Sequence, residues 1–190
     1  SVLQIAPNAA AAYSLRSLTG GDPKVVRVRR SSDNAESDFT ASEVSSGALV
    51  DFVGSGNDGF VETWYDQSGN SNDAVQATAG SQPKIVSAGA LNTSGGLEFD
   101  GSDDLFSLTS NISFENKAGC VFSAQDGQDS PNDFTLGTSS SSRGIGFRSI
   151  LTRWFFTTGA IDIDNSSPPS GLALFTALHD GTTNDPNVKA

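Results

Sequence analysis

Phe99-Asp100-Gly101-Ser102-Asp103-Asp104 packs three carboxylates and a hydroxyl into a few residues. Oxygen ligands at that density suit a hard cation, so Asp100, Asp103 and Asp104 are the candidate ligands of a Ca²⁺ ion. A metal-free Asp/Gly turn uses the same residue types, because short acids hydrogen-bond their own backbone. A second loop, Asp126-Gly127-Gln128-Asp129-Ser130-Pro131-Asn132-Asp133, could ring a sugar: Asp126, Asp129, Asn132 and Asp133 offer polar contacts, and Trp154 offers a stacking platform. The bland alternative is a solvated loop and a core tryptophan. A third loop, Asp66-Gln67-Ser68-Gly69-Asn70-Ser71-Asn72-Asp73, follows an aromatic run and reads as turn chemistry, with Asp66 and the asparagines binding backbone N–H groups.

Other reactive groups are scarce. His179 is the single histidine, and serine–histidine catalysis would need it beside a nucleophile and an acid. It precedes Asp180-Gly181, which suits a strand entering a hairpin. Cys120 is the single cysteine, so no internal disulfide forms, and its apolar setting suits an inert thiol. No nucleotide loop or zinc spacing is present. Arg27, Arg29 and Arg30 are three of the 11 basic residues; local carboxylates such as Asp33, Glu36 and Asp38 are the expected partners, and an anion site is the alternative.

The elements that must position these groups are mostly strands. The chain has 190 residues, 36% of them apolar and 17% charged, with 20 Gly and 12 Phe. Short apolar runs between Ser/Thr/Asn/Asp/Gly clusters suit an all-β sandwich. A formal charge of −11 opposes binding to nucleic acid or anionic lipid. No apolar run approaches the ~20 residues of a membrane span, and no signal peptide or methionine occurs. We expect a single domain over residues 1–190, incomplete at its C-terminus, because residues 187–190 read as the start of a return strand.

The four alanines from Ala9 predict a helix to Leu18, capped by Asn8 and ended by Gly20-Gly21. Val26 and Val28 alternate with arginines over 24–30, a strand. Thr40-Ala41-Ser42-Glu43 has capping-box spacing, and Val44, Ala48, Leu49, Phe52 and Val53 follow, so a helix is predicted over 41–53. Phe60 to Tyr65 reads as a strand inside the sandwich. Further strands are expected at 84–86, 96–99, 105–108, 119–124, 134–136, 144–150, 153–157, 160–163 and 172–178. The serine run 139–142 reads as a loop tip.

The stretches Ala11 to Arg16, Val26 to Asp33, Trp64 to Asn70 and Phe99 to Asp104, in that order, resemble laminin-G/concanavalin A-like domains of phage tail or virion surface proteins. That group is similar to the catalytic domain of α-L-arabinofuranosidase B. The resemblance covers the first ~105 residues and implies a jelly-roll sandwich of two antiparallel sheets, to which the residues themselves add one or two short helices near the N-terminus. Its activity does not carry over. The stretch comparable to the family's nucleophile strand, Gly144 to Ser149, holds no acid; the vicinal cysteines are absent; and the late region that supplies the general acid has no counterpart.

The expectation is therefore a non-enzymatic virion structural or decorating module (phage tail, fibre or capsid surface) at a virion surface or in an extracellular setting. Its partners would be other virion proteins or copies of itself, with a host cell-surface glycan as an optional ligand, and neither nucleic acid nor an inserted membrane. The residues establish no cofactor, and Ca²⁺ is the one candidate ion. The alternatives are a glycoside hydrolase of the arabinofuranosidase type and a bacterial surface adhesin.

Overall fold

The computed structural model describes residues 3, 8–92, 95–112, 118–125, 136–137, 144–145, 154–156, 159–161 and 173–180. The chain forms two compact units, Ser1–Ile112 and Ser113–Ala190. Among the described residues it is mostly sheet, with antiparallel strand pairing and two short α-helices.

The first unit is built on one seven-stranded sheet. Its strands are β1 (Lys24–Arg30), β2 (Glu36–Thr40), β3 (Gly59–Trp64), β4 (Ala74–Val75), β5 (Lys84–Ser87), β6 (Ala90–Leu91) and β7 (Ser107–Leu108). The path runs β2-β1-β3-β4-β7, and β5 pairs with β3 and carries β6. Two short helices, α1 (Ala41–Ser46) and α2 (Ala48–Val53), connect β2 to β3. The core joins Val25, Val26 and Val28 of β1, Phe39 of β2, Val61 of β3 and Ile85 and Val86 of β5 to Val44, Leu49 and Val53 of the helices.

Two of these neighbours, Val25-Val26 and Ile85-Val86, are consecutive yet all fully buried. Strict alternation would send one of each pair outward. The register explains both. The β1–β2 pairing steps from Lys24↔Thr40 to Val26↔Phe39, so Val25 is an extra residue. The β3–β5 pairing steps from Gly59↔Val86 to Phe60↔Lys84, so Ile85 is extra. Each bulge bends its strand and lets neighbouring side chains turn inward. Gly59 sits where β1, β5 and α2 converge: a Cβ there would lie 2.9 Å from Val53 Cγ2 and 3.2 Å from Val28 Cγ1.

Strand β1 matches the expected span, and β3 lies within one residue of it. The capping box is formed: the Glu43 N–H donates to Thr40 Oγ1 (3.3 Å), and the Thr40 N–H donates to Glu43 Oε2 (2.8 Å). The predicted 41–53 helix, however, is two helices. Gly47 takes φ +93 and closes α1, while the Ser45 and Ser46 hydroxyls donate to the Ser42 and Glu43 carbonyls. That back-bonding competes with the helical ladder, and a left-handed glycine ends it.

The predicted helix over 9–18 is not there; the backbone runs as turns and bends. Its polar groups bond to side chains and backbone of the 66–72 loop instead, a distant partner that outweighs alanine's helical preference. Strand β2 was not expected, because Glu-Ser-Asp-Phe-Thr is polar. Its stability is cross-strand: Arg27 pairs with Asp38 in register, at 3.1 Å, and with Glu36 at 3.0 Å. The predicted 96–99 strand reduces to one bridge between Lys84 and Glu98, and 105–108 to the two residues of β7.

In the second unit, β8 (Ala118–Gln125) pairs with β13 (Ala173–Asp180) over the full length of both. Two-stranded pairs join β9 (Leu136–Gly137) to β10 (Gly144–Ile145) and β11 (Trp154–Phe156) to β12 (Gly159–Ile161). Each falls within or beside a predicted strand. His179 lies at the expected strand end, one residue before the close of β13 and opposite Gly119. The serine run 139–142 and the return strand at 187–190 lie outside the described residues.

Candidate functional site

The structure brings Asp100, Asp103 and Asp104 together: one carboxylate oxygen from each lies within 4.8 Å of the others. The Asp/Gly turn does this. Gly101 takes φ +73, which a side chain would resist. Asp100 Oδ1 accepts the Ser102 N–H (2.8 Å) and the Asp103 N–H (3.3 Å), and Asp104 Oδ2 accepts the Asp100 N–H (2.9 Å). Asp103 Oδ2 accepts the Ser81 hydroxyl at 2.7 Å.

The electrostatics split the cluster. The Ser102 N–H holds the exposed Asp100 carboxyl below the usual range, with further N–H groups helping. Burial pushes Asp104 up, and the charges of Asp100, Asp103 and Glu98 push it further, against the Asp100 N–H. A cation would relieve Asp104. Backbone donors of the turn occupy one oxygen each of Asp100 and Asp104, and the Ser81 hydroxyl occupies one of Asp103, so the remaining three oxygens are half or fewer of the roughly six to eight that Ca²⁺ takes. Water would have to supply the rest.

Asp100 and Asp104 also line an open groove of about 230 Å³ with Phe60, Gln82, Lys84 and Glu98. Sequence reading missed the last three. Glu98 sits two residues before Asp100, but Lys84 reaches it only through the bridge, where the two residues exchange N–H···O bonds of 2.8 Å. The Lys84 ammonium lies 3.1 Å from Asp58 Oδ2 and 5.6 Å from the centre of the Phe60 ring, so it neutralises little of the groove's negative charge. Gln82, 3% exposed, accepts from Arg29 Nε and donates to the Gln76 carbonyl.

The arginines divide in an unexpected way. Arg27 and Arg30 pair with carboxylates as anticipated, Arg30 with Asp33 at 2.7 Å. Arg29 does not. It donates to Gln82 Oε1, Asn34 Oδ1 and the Ala79 carbonyl and lies over the Phe60 ring at 4.9 Å. Neutral oxygens and a ring face thus hold this cation.

The Asp66–Asp73 loop is a hub. Asp66 Oδ1 accepts the N–H groups of Ala12 and Ser68, both at 2.8 Å; Oδ2 accepts the Ser68 hydroxyl (2.7 Å) and the Asn72 N–H (3.0 Å). Burial alone would raise this carboxyl, but the donors of Ser68, Ala12 and Asn72 outweigh it and hold the group below its usual range. Tyr13 donates to the Asn72 carbonyl, and burial together with the charges of Asp66 and Asp73 raises its phenol well above the ordinary value. The expected turn chemistry is present, and it reaches across the chain as well as locally.

Asp126, Asp129, Asn132 and Asp133 lie outside the described residues, and of Trp154 the structure describes the backbone, at the start of β11. Among the described residues no helix is long and apolar enough to cross a membrane. No protein-family model, curated protein or solved structure matches the chain.

Proposed function

We propose that this chain is a non-enzymatic structural or decorating module of a virion, built as a two-sheet jelly roll. The observation that carries the reading is where its most distinctive residues go. Ala11 to Arg16 and Trp64 to Asn70, two of the stretches behind the family resemblance, bond to one another. Asp66 reaches Ala12, and Gln67 reaches Ser14, Arg16 and Leu18. Signature residues used up in holding the chain together suit a scaffold better than a reaction centre, whose acids and bases need free lone pairs. The mechanism is shape-complementary assembly, with weak contacts multiplied by copy number. Imaging of intact particles would display the chain at repeated surface positions; its absence from purified particles would end the reading. A glycan array run with and without Ca²⁺ tests the optional host ligand.

One observation favours the hydrolase alternative. Asp100 and Asp104 line the same groove and are pushed in opposite directions, a pattern that assigns acid and base roles. Release of arabinose from an aryl arabinofuranoside, lost in Asp104→Asn, would establish that reading in place of the first.

A further inference from the structure

The segment 8–18 has no helix and joins no strand, yet it lies across the sheet's aromatic flank. Among the described residues its bonds to the rest of the first unit end on one loop, apart from the Leu3 N–H donating to the Leu18 carbonyl. Asn70 donates to the carbonyls of Ala9 (2.8 Å) and Ala10 (3.2 Å). Ala12 donates to Asp66 and its carbonyl accepts the Gln67 N–H, each at 2.8 Å. Gln67, only 6% exposed, directs its whole side chain at the segment: Nε2 donates to the carbonyls of Ser14 (2.9 Å) and Arg16 (3.0 Å), and Oε1 accepts the Leu18 N–H (2.8 Å).

Apart from the Tyr13 hydroxyl, the loop binds backbone groups only. Beneath the segment, Tyr13 packs on Trp64 with ring centres 5.6 Å apart, and Leu15 touches the core. Among the described residues, two buried polar atoms in this region, Ser17 Oγ and Trp64 Nε1, have no protein hydrogen-bond partner. Such atoms are costly to bury dry and weaken the docked state. The segment also has a hinge and a stop. Gly20 takes φ +86, and beyond it Asp22 is anchored on α1 by the Ser42 N–H (2.9 Å) and hydroxyl (2.5 Å).

We infer that residues 8–18 form a clasp, held by the backbone-reading loop 66–72, which releases as a unit about Gly20 while the seven-stranded sheet stays folded. Release uncovers the face of Trp64 that Tyr13 covers, frees the side chain of Gln67, and takes the Ala12 donor from Asp66 and the Ala9 and Ala10 acceptors from Asn70. The inference rests on the first unit alone and stands apart from the virion reading.

Native-state hydrogen exchange on the full wild-type chain tests it. The Ala12 and Leu18 amides should exchange through an opening with a shallower denaturant dependence than the Val26 and Val28 amides of β1, as sub-global release requires. Trypsin should cut after the exposed Arg16, identified by mass, while β1 stays protected. Gln67→Ala, which removes the buried bonds, should speed that cut roughly tenfold. The inference fails if the Ala12 and Leu18 amides share the free energy and denaturant slope of β1, or if cleavage after Arg16 follows only global unfolding. The wild-type exchange decides the matter even if the variant does not fold.

Discussion

Two loops that share Asp, Gly and Ser as turn formers, 66–73 and 100–104, do opposite work. In the first, Asp66 gathers donors from its own turn and from Ala12, 54 residues away. In the second, Asp100 and Asp104 accept N–H groups two to four residues away, and the one longer bond runs from Ser81 to Asp103. The first loop therefore ties distant segments together and shields its carboxylate with donors. The second closes on itself and leaves mutual repulsion on Asp104. Residue type decides that a turn forms; the range of its hydrogen bonds decides whether it is a staple or a charged surface feature.

The contrast should be sharpest in stability. Asp66→Ala strips acceptors from three backbone N–H groups and a hydroxyl, so urea unfolding should show a loss of about 3 kcal/mol. A loss below about 1 kcal/mol would erase the distinction between the loops.

The next effect is in pH. Asp66 is held below its ordinary value of 3.8, so its folded form favours the charged state. Its contribution is complete at neutral pH and is lost as the pH falls through and below 3.8. The stability gap between wild type and Asp66→Ala should therefore narrow on acidification, read as converging melting curves. Asp104 has the reverse sign: its folded form favours the neutral acid, so it opposes folding at neutral pH and ceases to do so as the pH falls. Asp104→Asn should thus raise the neutral-pH melting temperature slightly, by under about 0.5 kcal/mol in stability. A marked loss would mean that Asp104 holds the turn through its charge.

Calcium gives the smallest expected shift. With three free carboxylate oxygens a dissociation constant of about 1 mM is generous, and ~1 mM Ca²⁺ would then stabilise by only ~0.4 kcal/mol. Whatever shift appears should vanish in Asp103→Asn; if it survives, the ion binds elsewhere.

Much of the first unit was legible in the sequence. The valine–arginine alternation of β1 and the Thr40–Glu43 capping box are local signals, and both formed. The acidic cluster was legible too, since three aspartates within five residues cannot be far apart. Strand β2 was not legible, because its reasons lie across the ladder in Lys24 and Arg27 rather than in Glu36 or Asp38 alone. Nor was the groove: Lys84, Gln82 and Glu98 join Asp100 and Asp104 through a bridge and a bulge that no periodicity announces.

The 9–18 segment marks the boundary most clearly. Composition and pattern alone settled a strand-rich, acidic chain with polar turns, because alternation, capping and turn chemistry act over a few residues. Only tertiary structure decided that four alanines and a leucine-bearing tail would lie without helix against a loop some fifty residues on. A helix as short as 9–18 is marginal by itself. Backbone groups that find buried, well-aimed partners such as Gln67 and Asp66 gain more from them than from a frayed helical ladder.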